Sequence, residues 1–143
     1  MTEDPVRTIL HASCVALGGR GLLILGPSGV GKSALALRLI SLGAALVADD
    51  QTEVVRRGDR LVASCPPQIR GLIEARGIGL LRTTPADSAE IALVADLAQT
   101  ETMRLPPTRR ITILGCPVDL VLRVQNDHFP DALMLYLRHG RQA

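Results

Sequence analysis

Residues 26–40 read GPSGVGKSALALRLI and contain Lys32, the single lysine among the 16 Lys and Arg residues of this chain. Gly26-Pro27-Ser28-Gly29-Val30-Gly31-Lys32-Ser33 fits G-x-x-x-x-G-K-[ST], set after an apolar run and ahead of a helical one. Glycines let a backbone wrap closely and aim successive N–H groups at one point. A helix start behind them adds a positive dipole end, so phosphate oxygens meet donors only. The Lys32 ammonium is a compact charge on a flexible stem, able to follow β- and γ-phosphates through transfer, where a guanidinium is planar and rigid. Ser33 offers a hydroxyl to Mg²⁺ bridging those phosphates. These residues predict a nucleotide triphosphate site of the ATP and Mg²⁺ kind.

A second group of candidates is acidic. The next apolar run, residues 44–48, ends in Asp49-Asp50. In an α/β sheet, successive strand ends lie along one edge, which brings both carboxylates near the phosphate loop. One can bind or orient the metal, and the other can accept a hydroxyl proton. Glu74 follows Pro66-Pro67 in a short helix-like stretch, residues 68–74, where it can present a hard anionic oxygen to a metal. His11, taken alone, is a histidine on a predicted strand and has no assigned work.

The elements that must position these groups follow from local chemistry. Residues 8–17 are rich in β-formers, end at Gly18-Gly19, and pair with residues 22–25 as a hairpin. Residues 33–42 carry apolar positions at 35, 37, 39, 40 and 42 and form a helix that stops at Gly43. Residues 53–57 and 60–64 flank Gly58-Asp59 as a second hairpin. Residues 78–82, 91–95 and 110–114 are further strands, and 131–139 form a helix with Pro130 just before it. Residues 119–126 fit alternation and helical spacing equally.

Bulk composition narrows the field. The chain has 143 residues, one domain's worth, of which 47% are hydrophobic, with one Phe and one Tyr as its aromatics. The core is therefore aliphatic. A net charge of +2, with basic residues scattered, excludes the footprint of a nucleic-acid binder. No apolar run approaches the roughly 20 residues needed to span a bilayer. The opening residues, MTEDPVRT, are polar and acidic, unlike a secretory leader. Cys14, Cys65 and Cys116 lie far apart without metal spacing, as inert thiols of a reduced, cytoplasmic protein do.

GPSGVGKSALALRLISLGAALVADD, together with LIEARGIGLL at residues 72–81, resembles the catalytic domain of the bacterial HPr kinase/phosphorylase family over residues 8–126. Loop, acidic pair and the E-x-R-G-[IL]-G signature stand in the family's order. The resemblance implies an α/β fold with a strand-rich sheet core and flanking helices, related to phosphoenolpyruvate carboxykinase rather than the doubly wound sheet. It implies an ATP- and Mg²⁺-dependent protein-serine kinase whose partner is the phosphocarrier HPr of the sugar phosphotransferase system. By the same resemblance, His11 is an active-site histidine, Lys32 the phosphate lysine and Ser33 the metal hydroxyl. Asp50 takes the seryl proton, Glu74 is a second Mg²⁺ ligand, and Arg104 in TMRLPP offsets charge on the phosphoryl group in flight. Asp49, the other carboxylate of the pair, is the one left to bind or orient the metal with Ser33 and Glu74.

The chain departs from the family in two places. It starts just ahead of the His11 strand, without the family's amino-terminal domain, and so resembles a short form spanning residues 1–143 as one catalytic domain. Residues 113–118 read Ile-Leu-Gly-Cys-Pro-Val where the family carries a basic stretch linked to phosphate-dependent reversal. Two anions brought together need donors, so the reverse reaction is expected to be weak or absent. The loop after Leu81 is shortened, which leaves carrier docking and homo-oligomer contacts open. A small-molecule kinase on the same loop and a non-catalytic ATP-binding regulatory module are the two rival readings.

Overall fold

The computed structural model describes residues 6–143. Residues 1–5, the first part of the MTEDPVRT opening, lie outside the described residues. β1 (Arg7–Leu10) and β2 (Ser13–Leu17) replace the single strand expected over 8–17, and β3 (Arg20–Leu25) closes the hairpin after Gly18-Gly19. α1 (Lys32–Ser41) follows the glycine loop, and β4 (Ala45–Ala48), β5 (Thr52–Arg57) and β6 (Arg60–Ser64) come next. Beyond them lie one 3-10 turn (Pro67–Ile69), β7 (Leu72–Ala75), β8 (Gly79–Arg82) and β9 (Ser88–Thr100). β10 (Arg109–Ile113), β11 (Cys116–Arg123) and α2 (Phe129–His139) complete the order.

After Lys32 and Ser33, α1 consists of Leu, Ala and one Arg up to its first β-branched residue, Ile40, and it buries Lys32, Ala36 and Leu39. Its stop is a Schellman pair: Ala44 N–H donates to the Leu39 carbonyl and Gly43 N–H to that of Ile40, both at 3.0 Å. Gly43 sits at φ 114, which only glycine adopts freely. α2 starts two residues earlier than expected, with Pro130 inside the first turn, where its missing N–H costs nothing.

The main sheet has the order β1-β5-β6-β9-β3-β2-β4, with β11 on the far part of β9 and β10 beyond it. β3 and β11 run parallel to β9, while every other pairing is antiparallel. This is a mixed, curled sheet and not a doubly wound one. One face carries α1 and α2 over Val15, Leu22, Ile24, Leu93 and Ala95. The other folds onto itself around Cys14, Leu23, Val47, Val54, Leu61 and Ile91. A bulge between Gly21 and Leu22, opposite Ile91 and Leu93, moves β9 from one face to the other, which is why two odd-numbered neighbours serve different cores. Each fully buried Leu or Ile contributes about 2 kcal/mol.

The helix-like stretch expected over residues 68–74 is helical only at its start, where Gln68 and Ile69 belong to the 3-10 turn. Pro66-Pro67 confines the helix to one turn, Gly71 reverses the chain at φ 75, and Leu72–Ala75 then alternates in burial as a strand does. β7 pairs with β8 as a separate two-stranded sheet packed on α1 through Ile73. The ambiguous segment 119–126 is mostly β11, its side chains split between the two cores.

Past the end of β9, Glu101 accepts two hydrogen bonds from Arg109, at 2.9 and 3.0 Å. Those bonds hold the Glu101 carboxyl below its ordinary 4.5. A carboxyl depressed in the folded state stabilises fully above its unfolded value and loses that contribution as pH falls through the folded one. Glu101→Gln should therefore melt below wild type at about pH 7, with the gap shrinking toward about pH 3. Circular-dichroism melts across that range check it; a gap that stays constant with pH contradicts it.

Candidate active site

Strands β3, β2 and β4 end or begin at one edge of the sheet, and the site is assembled there. The loop leaves β3 at Gly26, whose φ of 148 and whose absent Cβ, which would stand 2.6 Å from Val30 Cγ1, both require glycine. Val30 N–H turns back to the Pro27 carbonyl at 3.2 Å. Gly31, in the left-handed region, caps α1 with no side-chain hydrogen bond and no acid in the first turn. The helix therefore starts with its N–H groups and dipole unanswered by protein, which suits an anion.

Lys32 is the first helical residue and only 6% exposed. Its Nζ donates to the carbonyls of Gly26 at 2.6 Å and Pro27 at 3.0 Å, so two of three N–H groups are held by the loop itself. A buried ammonium is tolerated because it is bonded this way.

The acidic pair divides. Asp49 is buried: its Oδ1 accepts from Ser13 Oγ at 2.6 Å and Ser33 Oγ at 2.7 Å, and its Oδ2 from the Glu74 N–H at 3.2 Å. One carboxylate thus joins β2, α1 and β7. Asp50 stands at φ 70, a left-handed conformation that Asp tolerates better than most residues. There its carboxylate faces the opening, where Oδ1 accepts from His11 Nε2 at 2.6 Å.

The His11–Asp50 contact has a backbone cause. β1 with β5 and β2 with β4 form one long antiparallel ribbon, interrupted on both strands at the same level. At the break, Ala12 N–H donates to the Asp50 carbonyl at 3.1 Å and Gln51 N–H to that of Asp49 at 2.8 Å. Thr52 Oγ1 closes the corner on the Ala12 carbonyl at 2.8 Å. The ribbon bends there, and His11 and Asp50 occupy its corner.

A cleft of about 440 Å³ is bordered by His11, by Ser28, Gly29, Gly31, Lys32 and Ser33 of the loop, and by Leu37, Asp50, Glu74, Arg76 and Ile78. Gly29, Gly31, Lys32 and Ser33 lie on one side, the His11–Asp50 pair on another, and β7 on the third. Glu74 reaches it from a strand rather than the expected helix: Ile73 and Ala75 point inward and leave Glu74 exposed. Asp49 does not line the cleft; it stands behind Ser33. Arg104 is exposed on the segment between β9 and β10 and does not border the cleft. Among the described residues, no cluster of three or more His, Cys, Asp or Glu forms a metal cage. Ser33 with Glu74 nevertheless suits Mg²⁺, which takes few protein oxygens and completes its shell with phosphate and water.

Sequence reasoning missed Ser13, a polar residue in an apolar strand two positions after His11, and Arg76, inside the quoted signature. It also credited residues 113–118 with a bearing on reversal. The Leu114-Gly115 turn joins β10 to β11 at the opposite end of β11 from the glycine loop, held by Arg56 Nη1 on the Leu114 carbonyl at 3.0 Å. Residues 113–118 do not border this cleft.

A curled, strand-rich mixed sheet, helices on one face and a glycine loop at the edge put the chain in the α/β class. It belongs to the family described as the HPr Serine kinase C-terminal domain, whose model matches residues 5–104. The HPr kinase/phosphorylase of Cupriavidus necator is 39% identical over an alignment of 127 residues, covering 80% of this chain and 39% of that protein. That of Burkholderia lata is 38% identical with the same coverage. The chain thus spans about two-fifths of the length of these curated relatives. The solved structure of the HPr(Ser) kinase/phosphatase from Coxiella burnetii matches with a TM-score of 0.78 and 28% identity, covering 94% of this chain and 96% of that one.

Proposed function

We propose that this chain acts as one catalytic unit, an ATP- and Mg²⁺-dependent kinase that phosphorylates a serine of an HPr-like phosphocarrier in phosphotransferase-system regulation. The relation of its fold to phosphoenolpyruvate carboxykinase is part of the same reading, as is a cytoplasmic location. The observation that carries it is the His11–Asp50 pair at 2.6 Å, facing the glycine loop across one open cleft. The names of the relatives supply the carrier and the serine.

Each group then has work. Loop N–H groups and the α1 terminus hold the phosphate chain, and Lys32 gives its remaining N–H to a phosphate oxygen. Asp49 orders Ser33 by accepting the hydrogen bond from its hydroxyl, which turns an Oγ lone pair outward. Glu74 and that lone pair would be the protein's ligands for Mg²⁺, with Asp49 behind them rather than a direct ligand. Held there, Mg²⁺ would supply positive charge to offset that on the phosphates. Asp50 receives the seryl proton, and His11 fixes the carboxylate's direction. Arg104 lies beyond the cleft, so a part in transfer requires its segment to move.

The open cleft suits a protein substrate better than a free metabolite, which needs enclosure. Lys and Arg residues bordering it are Lys32 and Arg76. With Lys32 committed to the donor, little cation remains to pair inorganic phosphate with a phosphoserine, and reversal is weak in this reading. Labelled ATP with a purified HPr-like carrier should put label on one serine, located by mass spectrometry. Label on small metabolites alone overturns the reading, and rapid pyrophosphate release from phosphorylated carrier and phosphate overturns its one-way character.

A further inference from the structure

Arg123, idle in the chemistry above, is built against the glycine loop. β11 keeps register with β9 as far as Leu122 opposite Asp96, then shifts so that Arg123 faces Thr100. The Arg123 carbonyl accepts from Glu101 N–H at 2.8 Å, and Arg109 holds the Glu101 carboxylate. From this fixed backbone the guanidinium reaches the loop, where Nη2 donates to the Val30 carbonyl. An ideal Cβ on Gly31 would stand 3.5 Å from the same Nη2. Among the described residues, no carboxylate lies within ion-pair distance of Arg123. Its guanidinium borders a different cavity, beside Arg38, Asn126 and Phe129.

We propose that Arg123 is a positioning residue for nucleotide: it selects the orientation of the Val30–Gly31 peptide that turns the Gly31 N–H toward the phosphates. This rests on the nucleotide reading above. A trans peptide is planar, so its C=O and N–H point in opposite directions. Drawing the Val30 carbonyl toward the Arg123 side sends the Gly31 N–H toward the cleft that Gly31 lines. Glycine itself supplies no such preference, because it populates both signs of φ about equally. Without the arginine this peptide is free to flip, and a flipped peptide offers the phosphates a carbonyl oxygen.

Arg123→Gln and Arg123→Lys, beside wild type, test this by calorimetry with MgATP and by carrier-kinase kinetics. Arg123→Gln should weaken MgATP binding and raise the KM for ATP about tenfold, with kcat within about threefold and the nucleotide-free melting temperature little changed. Arg123→Lys, which keeps a donor and the charge, should fall between the two. Binding by Arg123→Gln within about twofold of wild type overturns the proposal, as does a melting shift with KM unchanged. If Arg123→Gln does not fold, Arg123→Lys decides: a loss of about threefold supports the proposal and none overturns it. Wild type that fails to bind MgATP sinks the nucleotide reading, and this inference with it.

Discussion

Asp50→Asn should keep the fold and bind MgATP as wild type does, yet lose turnover by about a hundred- to ten-thousandfold. The substitution keeps the volume and leaves an amide oxygen for the 2.6 Å bond from His11, so the corner of the ribbon stays in place. What disappears is the capacity to accept a proton. Asp50 is exposed and its hydrogen bonds are with His11, Ala12 and Ser13 rather than with the loop, so the phosphate cradle keeps its own bonds. The expected signature is a fall in kcat with nucleotide affinity preserved, read by calorimetry beside single-turnover transfer to the carrier. Retained turnover would remove Asp50 from the chemistry. Complete loss of catalysis with preserved regulatory action on a partner would favour the non-catalytic module.

Lys32→Met should have the opposite signature, with MgATP binding weakened at least about a hundredfold and little left to measure in transfer. Methionine fills much of the stem's volume, and the carbonyls it deserts belong to half-buried Gly26 and exposed Pro27, where water can replace the ammonium. Melting temperature should move by only a few degrees, small beside the binding loss. Lys32→Arg should not rescue. One Nζ meets two carbonyls at 2.6 and 3.0 Å in a space 6% exposed, which a planar guanidinium does not fit. Rescue by arginine would mean that the site needs charge alone.

The parts of this site legible in the sequence are those whose causes are local. A glycine loop between a strand and a helix, a Gly stop after α1 and a Gly-Asp hairpin each need only neighbouring residues, and all three stand where the sequence puts them. The acidic pair was legible as a strand end, but its division into a buried hub and an exposed base was not. That division follows from Ser13 and Ser33 reaching Asp49 from different elements, and from the left-handed backbone at Asp50. The break at His11-Ala12 is invisible to any window along β1 and β2, because its cause is a matching break near Asp50 on the partner strand. Glu74 falls in the helix-like stretch that the sequence places after the Pro66-Pro67 break; the alternation that decides for strand covers only four residues. Arg104 was carried by resemblance alone, and no local feature of TMRLPP directs it to the cleft.

The bent ribbon has a consequence for how the chain tolerates change in length. The Gly58-Asp59 turn joins β5 to β6 well away from the corner, so residues inserted there lengthen a surface loop at modest entropic cost. One residue gained or lost between Leu10 and Ser13 would instead slide β1 against β5 and invert which side chains face the inner core. Spacing across that corner is thus a mechanical constraint on lineages and on engineered variants alike, whatever residue types they carry.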